Sequence, residues 1–252
     1  MTVVRTAVRR RGPTTRSSSG HTISEAAFAP AAQAHVEPGL PAYQYAGRAI
    51  GADERGALEA ALQLRNTVFA HELRWVPPGQ DGHERDRCDA VAQHFAAFAC
   101  HTQRKDVEPE LVGYARVLIP DHPLMLEREF AAILGGSPVE YDPRRAFEVS
   151  RFVVHSRHRG RVDAGRHGVA DHLARAIVRW AHLQRRSEWL SVCEVRHVRA
   201  LRMRGLPFAE IGRVVEYQRG VPVCAAQLDL AQAAARLRTH RPRDYAWYME
   251  GD

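Results

Sequence analysis

The chain has 252 residues, of which 45% are hydrophobic and 26% are charged, as is ordinary for a water-soluble globular protein. It has no apolar run approaching the roughly eighteen residues that a membrane-spanning helix needs, so we expect no transmembrane segment. Its four cysteines are scattered without a CxxC pair, which argues against a disulfide framework or a zinc knuckle and favours a reducing, cytoplasmic location.

The charged side chains are dominated by arginine. There are 36 basic and 29 acidic residues, the net charge is +7, and Lys105 is the only lysine. Arginine suits bidentate capture of phosphate and carboxylate, although a genome rich in G and C would give the same bias. A nucleic-acid-binding module would also be basic. The sequence has no helix-turn-helix, paired RNP aromatics or zinc-finger spacing, so we expect no specific nucleic-acid partner.

Residues 1–45 differ in composition from the rest of the chain. Residues 1–20 carry five arginines and no acidic residue, and residues 26–41 are rich in alanine and proline. The segment lacks the apolar core of a secretory signal, whereas an organelle transit peptide has a similar composition. We predict a disordered basic extension over residues 1–45 and a single folded domain over residues 46–252.

Hydrophobic periodicity predicts alternating helices and strands from about residue 52 onward. A helical pattern over Asp53–Leu73 comes first, and two strands at 94–101 and 111–119 then form a hairpin around a polar turn. The later predicted elements are a short helix at Leu124–Leu134, a strand at Phe147–His155, a long helix at Asp163–Gln184, a strand at Trp189–Val195, a helix at Val198–Met203, and a hairpin of Val214–Tyr217 with Val221–Leu230. This order predicts an α/β (α+β) fold with a mixed sheet flanked by helices.

Arg116 is unusual because it lies within an otherwise apolar strand. Burying an unpaired guanidinium costs several kcal/mol, so Arg116 needs an acidic partner, and the same argument applies to Arg151. The candidate partners are Asp86, Asp89 and Glu148.

Five segments in chain order resemble the motifs of the acyl-homoserine lactone synthases of bacterial quorum sensing. They are the arginine–VF–tryptophan segment Leu64–Trp75, the acidic loop Asp81–Asp89, the strand Gly113–Pro120, the PxML segment Pro123–Leu126 and the ExSRF segment Glu148–Phe152. The resemblance covers about residues 58–155 and implies a GNAT-like N-acyltransferase fold. Such a fold has a mixed, mostly antiparallel sheet flanked by helices in one domain.

The resemblance also implies the reaction. An acyl group passes from a phosphopantetheine thioester, on the acidic acyl carrier protein or on coenzyme A, to the amine of S-adenosylmethionine. Lactonisation then releases methylthioadenosine and an N-acyl homoserine lactone, a quorum-sensing signal. The amine attacks the thioester directly, so the family needs no covalent intermediate, no tightly bound cofactor and no metal.

The family's chemistry implies roles for the residues in these motifs. The expected catalytic residues are Glu148, Asp86 and Arg116, with Glu148 removing the proton of the amine through an ordered water. A sulfonium with an α-ammonium attracts carboxylates and aromatic faces, and its carboxylate pairs with arginine. The expected substrate-binding residues are Arg65, Phe69, Trp75, Glu84, Asp89, Arg151, Phe152 and Ser191.

Glu148 and Arg151 are three residues apart on one predicted strand, so regular alternation would place them on opposite faces. Serving one site requires a bulge between them, which would also splay the strand from its neighbour. The following segment, Arg157–Val162, matches only the first half of the GNAT pyrophosphate-binding pattern, which favours a carrier-protein donor over coenzyme A. The arginines expected to face that acidic partner are Arg157, Arg159, Arg161 and Arg166.

We consider two roles for the hydroxyl of Ser191. Its position matches a threonine in relatives that favour 3-oxo acyl chains, and alternation groups it with Trp189 and Cys193 on one face of a strand. Its hydroxyl either bonds to the backbone or donates to an oxygen at the third carbon of the acyl chain.

Departures from the family pattern leave an alternative function open. Arg74 stands where a glycine is common, and Asp121 and His122 replace a threonine-rich segment. Residues 208–220 and 241–248 also resemble acyltransferases that make long-chain N-acyl amino acids. The alternative is therefore an N-acyl amino acid synthase with a free amino acid as acceptor.

Overall fold

The computed structural model describes residues 43–135 and 139–250, which form one seven-stranded sheet with helices on both faces. The strands are β1 (Tyr43–Ala49), β2 (Gln93–His101), β3 (Glu110–Leu118), β4 (Ala146–Val154), β5 (Glu188–Glu194), β6 (Ala209–Tyr217) and β7 (Val221–Asp229). Their order across the sheet is β1-β2-β3-β4-β5-β7-β6, and only β4 and β5 pair in parallel. The predicted mixed, mostly antiparallel sheet is confirmed.

The helices are α1 (Arg55–Arg65), α2 (Met125–Arg128), α3 (Ala131–Leu134), α4 (Val169–Leu183), α5 (Val195–Met203), α6 (Leu230–His240) and α7 (Pro242–Tyr245). α1 continues into a π-helical stretch at Asn66–Glu72, and α7 continues into another at Ala246–Glu250. Within the described ranges, none of the helices is long and apolar enough to cross a membrane.

α4 packs on one face of the sheet, here called the α4 face, through side chains spaced three or four residues apart. Leu173, Ile177 and Ala181 are fully buried there in the largest hydrophobic cluster. Glycines in the sheet permit the close approach: a Cβ at Gly47 would lie 2.2 Å from the carbonyl oxygen of His172, which is part of the α4 backbone.

The opposite face, here called the α1 face, is covered by α1, its π-helical extension and the short helices α2 and α3. Val68 and Phe69 pack there against Tyr114 of β3 and Val153 of β4. Since successive strand residues point to opposite faces, Arg116 shares this face with Tyr114. The α1 face therefore receives the charged strand residues, while the α4 face is apolar.

β4 carries the bulge that Glu148 and Arg151 require to share a site. The β3–β4 register shifts between Tyr114 and Arg116, so two residues of β4 oppose one of β3. Arg151 takes a φ of 53°, a left-handed conformation that a non-glycine residue seldom adopts. The parallel pairing of β4 with β5 ends at Val149 and Ser191, and the strands separate beyond that point. The predicted bulge is confirmed.

Several element boundaries differ from the predictions. β1 begins at Tyr43, and Tyr45 is buried, so residues 43–45 belong to the sheet rather than to the N-terminal extension. The rest of the predicted extension, residues 1–42, lies outside the described residues. α4 begins at Val169 rather than at Asp163, because the Asp163 carboxylate accepts from the backbone N–H of His167 and fixes a turn.

β6 begins at Ala209 rather than at Val214, and the remaining differences concern helices. The predicted helix at 124–134 is two short helices, interrupted at Phe130, whose ψ of 15° departs from a helical value. α6, α7 and the following π-helical turn continue the chain beyond the β6–β7 hairpin, where the sequence analysis predicted no helix.

Candidate active site

Three arginines and three carboxylates on the α1 face form a closed ring of alternating charge. Each guanidinium contacts two carboxylates, and each carboxylate contacts two guanidiniums. The shortest nitrogen–oxygen distances are 2.5 Å for Arg65–Glu84, 3.0 Å for Glu84–Arg151, 2.9 Å for Arg151–Asp86, 2.6 Å for Asp86–Arg116, 2.6 Å for Arg116–Asp89 and 2.6 Å for Asp89–Arg65. The expectation that Arg116 has acidic partners is confirmed, with Asp86 and Asp89 in that role.

The acidic loop is folded so that its carboxylates reach the ring. The Asp86 side chain accepts from the backbone N–H of Cys88 at 2.8 Å, and the Asp89 side chain accepts from the backbone N–H of Asp86 at 2.7 Å. This reciprocal capping closes a short 3₁₀ turn and fixes both side chains. Arg116 is further held by the Ser150 hydroxyl, which accepts from its Nε at 3.1 Å.

The ring is electrically balanced. Burial alone would raise the pKa of Asp86, but its hydrogen bonds with Arg116 and the charges of Arg116 and Arg151 lower that pKa to about 2. The pKa of Asp89 is likewise lowered by Arg65 and Arg116 against the opposing effect of burial. Asp86 and Asp89 are therefore ionised at neutral pH, and their negative charges face the guanidiniums of the ring.

A cavity of about 220 Å³ runs through the gap where β4 and β5 separate. Of the predicted site residues, Phe69, Trp75, Glu148, Arg151, Phe152 and Ser191 line it, whereas Arg65, Glu84, Asp86, Asp89 and Arg116 do not. The side chains of Arg65 and Arg116 are fully buried, and that of Arg151 is 16% exposed. Arg151 is thus the member of the ring that lines the cavity, and the other five members do not line it.

The two ends of the cavity have different linings. On the α1 face, Trp75 contacts the rings of Phe69 and Tyr217 at centroid distances of 6.1 and 5.8 Å, and the Arg151 guanidinium lies 5.3 Å from the Phe69 ring. On the α4 face most of the lining is aliphatic or aromatic, and the charged exceptions include Asp171 and Arg204. It includes Ala174, Val178, Trp189, Leu206, Phe208 and Leu237.

Glu148 lies in the wall of the cavity and is 1% exposed. Its carboxylate accepts from the backbone N–H groups of Met125 at 2.7 Å and Leu126 at 3.2 Å. Burial raises the pKa of Glu148 to about 7, although these hydrogen bonds and the nearby Arg116 act in the opposite direction. A carboxyl group with such a pKa exchanges protons near neutral pH and is suited to general base catalysis.

Ser191 also lines the cavity, but its hydroxyl donates to the carbonyl oxygen of Val149 at 3.0 Å. A hydroxyl has one proton to donate, so Ser191 in this arrangement offers the cavity an acceptor only. Of the two roles considered for the Ser191 hydroxyl, the structure shows the first, a hydrogen bond to the backbone.

Several lining residues were missed by the sequence analysis. Tyr217, Phe130, Tyr248 and Met249 all line the cavity. Tyr217 lies at the end of β6, which the order β5-β7-β6 places at the edge of the sheet, and its ring contacts that of Trp75. No spacing in the sequence predicts this order of strands, although the sequence does show Tyr217 close to the turn at Gly220.

The segment Arg157–Val162 does not lie at a helix start, because α4 begins only at Val169. The cap of α4 is occupied by the Asp171 carboxylate, which accepts from the N–H of Gly168 at 2.8 Å. Arg159 is held by the carbonyl of Val154 at 2.9 Å and by Glu72 at 2.5 Å. An anion at this helix start would meet a carboxylate already in place.

Comparisons with known proteins agree with this geometry. Residues 52–236 match the family model described as autoinducer synthase. An acyl-homoserine-lactone synthase of Rhizobium radiobacter is 30% identical over 163 residues, which are 63% of this chain and 72% of that protein.

Two solved structures show the same fold at low sequence identity. BjaI, described as a CoA-dependent acyl-homoserine lactone synthase with SAM and isopentyl-CoA, is 20% identical, covers 82% of this chain and 89% of its own, and has a TM-score of 0.60. TofI, in a ternary complex with an inhibitor and MTA, is 22% identical, covers 77% and 96%, and has a TM-score of 0.58. The chain described here belongs to the autoinducer synthase family and is an acyltransferase of the acyl-homoserine-lactone synthase type.

Proposed function

We propose that this protein transfers an acyl group from a carrier-protein thioester to the amine of S-adenosylmethionine and closes the product to an N-acyl homoserine lactone. The observation that carries the proposal is the cavity through the separated strands β4 and β5. It joins an aromatic end beside Glu148 and Arg151 to an apolar end on the α4 face. A polar amine and a long acyl chain can therefore meet at Glu148 from opposite faces of the sheet.

The aromatic end suits the acceptor. Phe69 and Trp75 present ring faces that attract a sulfonium. Arg151 is the ring arginine that lines the cavity, and it would pair with the substrate carboxylate. Arg65 and Arg116 are fully buried, so their role is to position Arg151 and the acidic loop rather than to touch the substrate.

Glu148 supplies the proton acceptor for the first step. The α-ammonium of S-adenosylmethionine passes one proton through an ordered water to the Glu148 carboxylate, and the free amine attacks the thioester carbonyl. The amide bond forms, the carbon–sulfur bond of the thioester breaks, and the phosphopantetheine thiolate leaves and takes up the second proton lost by the amine nitrogen. In the second step the substrate carboxylate attacks its own γ-carbon, and neutral methylthioadenosine leaves with the electron pair of the broken carbon–sulfur bond.

The loop before α4 supports acyl carrier protein as the donor. Coenzyme A would bring a pyrophosphate, and the Asp171 carboxylate at the start of α4 would repel it. A carrier-protein donor brings one phosphate, and its acidic surface would meet the exposed Arg157 and Arg166.

The test is a reaction of the purified protein with S-adenosylmethionine and one acyl group, offered on acyl carrier protein or on coenzyme A. We expect an N-acyl homoserine lactone and methylthioadenosine in equal amounts by mass spectrometry, formed faster from the carrier-protein donor. An open-chain N-acyl amino acid would overturn the acceptor assignment and support the alternative function. Equal or faster turnover of the coenzyme A donor would overturn the donor assignment.

A further inference from the structure

The C-terminal segment Pro242–Glu250 lies beyond residue 236, where the match to the family model ends. It consists of α7 and the following π-helical turn, and it folds back onto α4 rather than continuing away from the domain. The segment thereby reaches the α4 face, where the apolar end of the cavity lies.

Aromatic and polar contacts hold this segment in place. Trp247 stacks on His167 with ring centroids 3.7 Å apart and an interplanar angle of 9°, and its edge contact with His172 measures 5.2 Å. The guanidinium of Arg175 lies 4.9 Å from the Trp247 ring. Trp247 is thus enclosed by side chains from α4 and from the turn before it.

Tyr248 provides a second anchor. Its hydroxyl donates to Asp171 at 3.3 Å, and that carboxylate is itself fixed by Arg204 at 3.2 Å. Because Trp247 and Tyr248 are both tied to α4, the next residue, Met249, has a defined position.

Met249 faces the interior of the molecule. It packs against the hydrophobic cluster of the α4 face and lines the cavity with Leu201, Leu206 and Leu237. Apart from Tyr248, the other lining groups of this end belong to the sheet, to the helices packed on it and to the loop between α5 and β6. Met249 is carried instead by the C-terminal segment, which contributes no strand to the sheet.

We propose that Met249, held by the Trp247 and Tyr248 anchors, forms the end wall of the acyl pocket and limits the length of the acyl chain. The inference rests on the proposed function only in that the apolar end of the cavity receives the acyl group. A shorter side chain at 249 opens space for further methylenes, and a larger one removes it.

The experiment compares Met249→Ala, Met249→Trp and the matched control Glu250→Ala, since Glu250 is exposed and adjacent. Each protein receives an equimolar series of saturated acyl donors that differ by two carbons, and mass spectrometry gives the chain-length distribution of the N-acyl products. We expect Met249→Ala to shift the product ratio about tenfold toward the next longer donor and Met249→Trp to shift it the other way. Glu250→Ala should retain the wild-type distribution.

Tyr248→Phe tests the anchor. It keeps the ring but removes the bond to Asp171, so we expect a broader chain-length distribution of the products. The distribution is read from the acyl part of the product, whichever amine has been acylated. An open-chain product would therefore defeat the lactone proposal while leaving this test valid.

For variants with little turnover, a binding measurement gives the preferred length of the acyl chain. The rise in melting temperature caused by an acyl-phosphopantetheine thioester of each length is recorded, and the optimum length should move in the same direction as the product ratio. Wild-type distributions and optima in both Met249→Ala and Met249→Trp would overturn the proposal.

Discussion

The two ends of the cavity are built in opposite ways. At the α1 face, Arg151 and its neighbours are held by a closed ring of charges, in which every member has two partners. At the α4 face, side chains such as Trp189 and Leu206 are held by packing alone. Loss of one ring member strands an opposite charge, whereas loss of one apolar side chain changes only volume. The first end is therefore intolerant of substitution, and the second is adaptable.

The largest effect should come from Arg116→Met, which leaves Asp86 and Asp89 without their shared cation. Breaking a buried ion pair from one side costs about 3–5 kcal/mol, so we expect a loss of that order in the free energy of unfolding and a loss of turnover. Urea unfolding and a product assay measure both. The control is Arg85→Met, which removes an exposed pair with Asp81 and should leave the free energy of unfolding nearly unchanged. An Arg116→Met protein with normal activity would contradict the role assigned to the ring.

Glu148→Gln tests the point where the two ends meet. Loss of a general base should lower kcat by about 10²–10⁴ and leave the KM for S-adenosylmethionine nearly unchanged. Since the pKa of Glu148 is raised to about 7, wild-type kcat should increase as the pH rises through 7 and the carboxyl loses its proton. The variant should lack that increase, and the exposed Glu59→Gln should keep it. An equal loss in binding and turnover would make Glu148 a positioning residue instead.

The contrast between the ends also explains what the sequence could predict. Charged residues in short motifs, such as Arg116 and Asp86, are conspicuous because an apolar strand cannot bury them alone. Even the bulge near Arg151 followed from the spacing of Glu148 and Arg151, once the family resemblance implied that both serve one site. No comparable rule predicts the apolar end of the cavity. In the sequence, Trp189, Phe208 and Met249 look like ordinary core residues, and only the folded chain brings them together around the cavity. The sequence also could not show which ring arginine faces the cavity. That distinction requires the burial of each side chain, which is complete for Arg65 and incomplete for Arg151.

Acid should weaken the ring in a defined pH range. The pKa of Asp86 is lowered to about 2, whereas an unfolded aspartate titrates near its ordinary value of about 3.9. The unfolded state therefore binds the proton first, and stability falls as the pH drops from about 4 to about 2. The contribution of Asp86 is about 2 kcal/mol at neutral pH. Asp86→Asn should reduce the slope of unfolding free energy against pH in this range. An unchanged slope would show that Asp86 is not ionised in the ring as described.

Ser191→Ala should have the smallest effect of the four, because its hydroxyl proton is directed to the Val149 carbonyl at 3.0 Å rather than into the cavity. Losing one neutral hydrogen bond costs about 1 kcal/mol of stability, and the choice of acyl donor should not change. The measurement is a competition between equal amounts of matched 3-oxo and unsubstituted donors, read as a product ratio. A shift of several-fold toward the unsubstituted chain would mean that the hydroxyl turns toward the substrate when the acyl chain is bound. The apolar end would then contain one directional contact, and its description as a pocket defined by volume alone would be wrong.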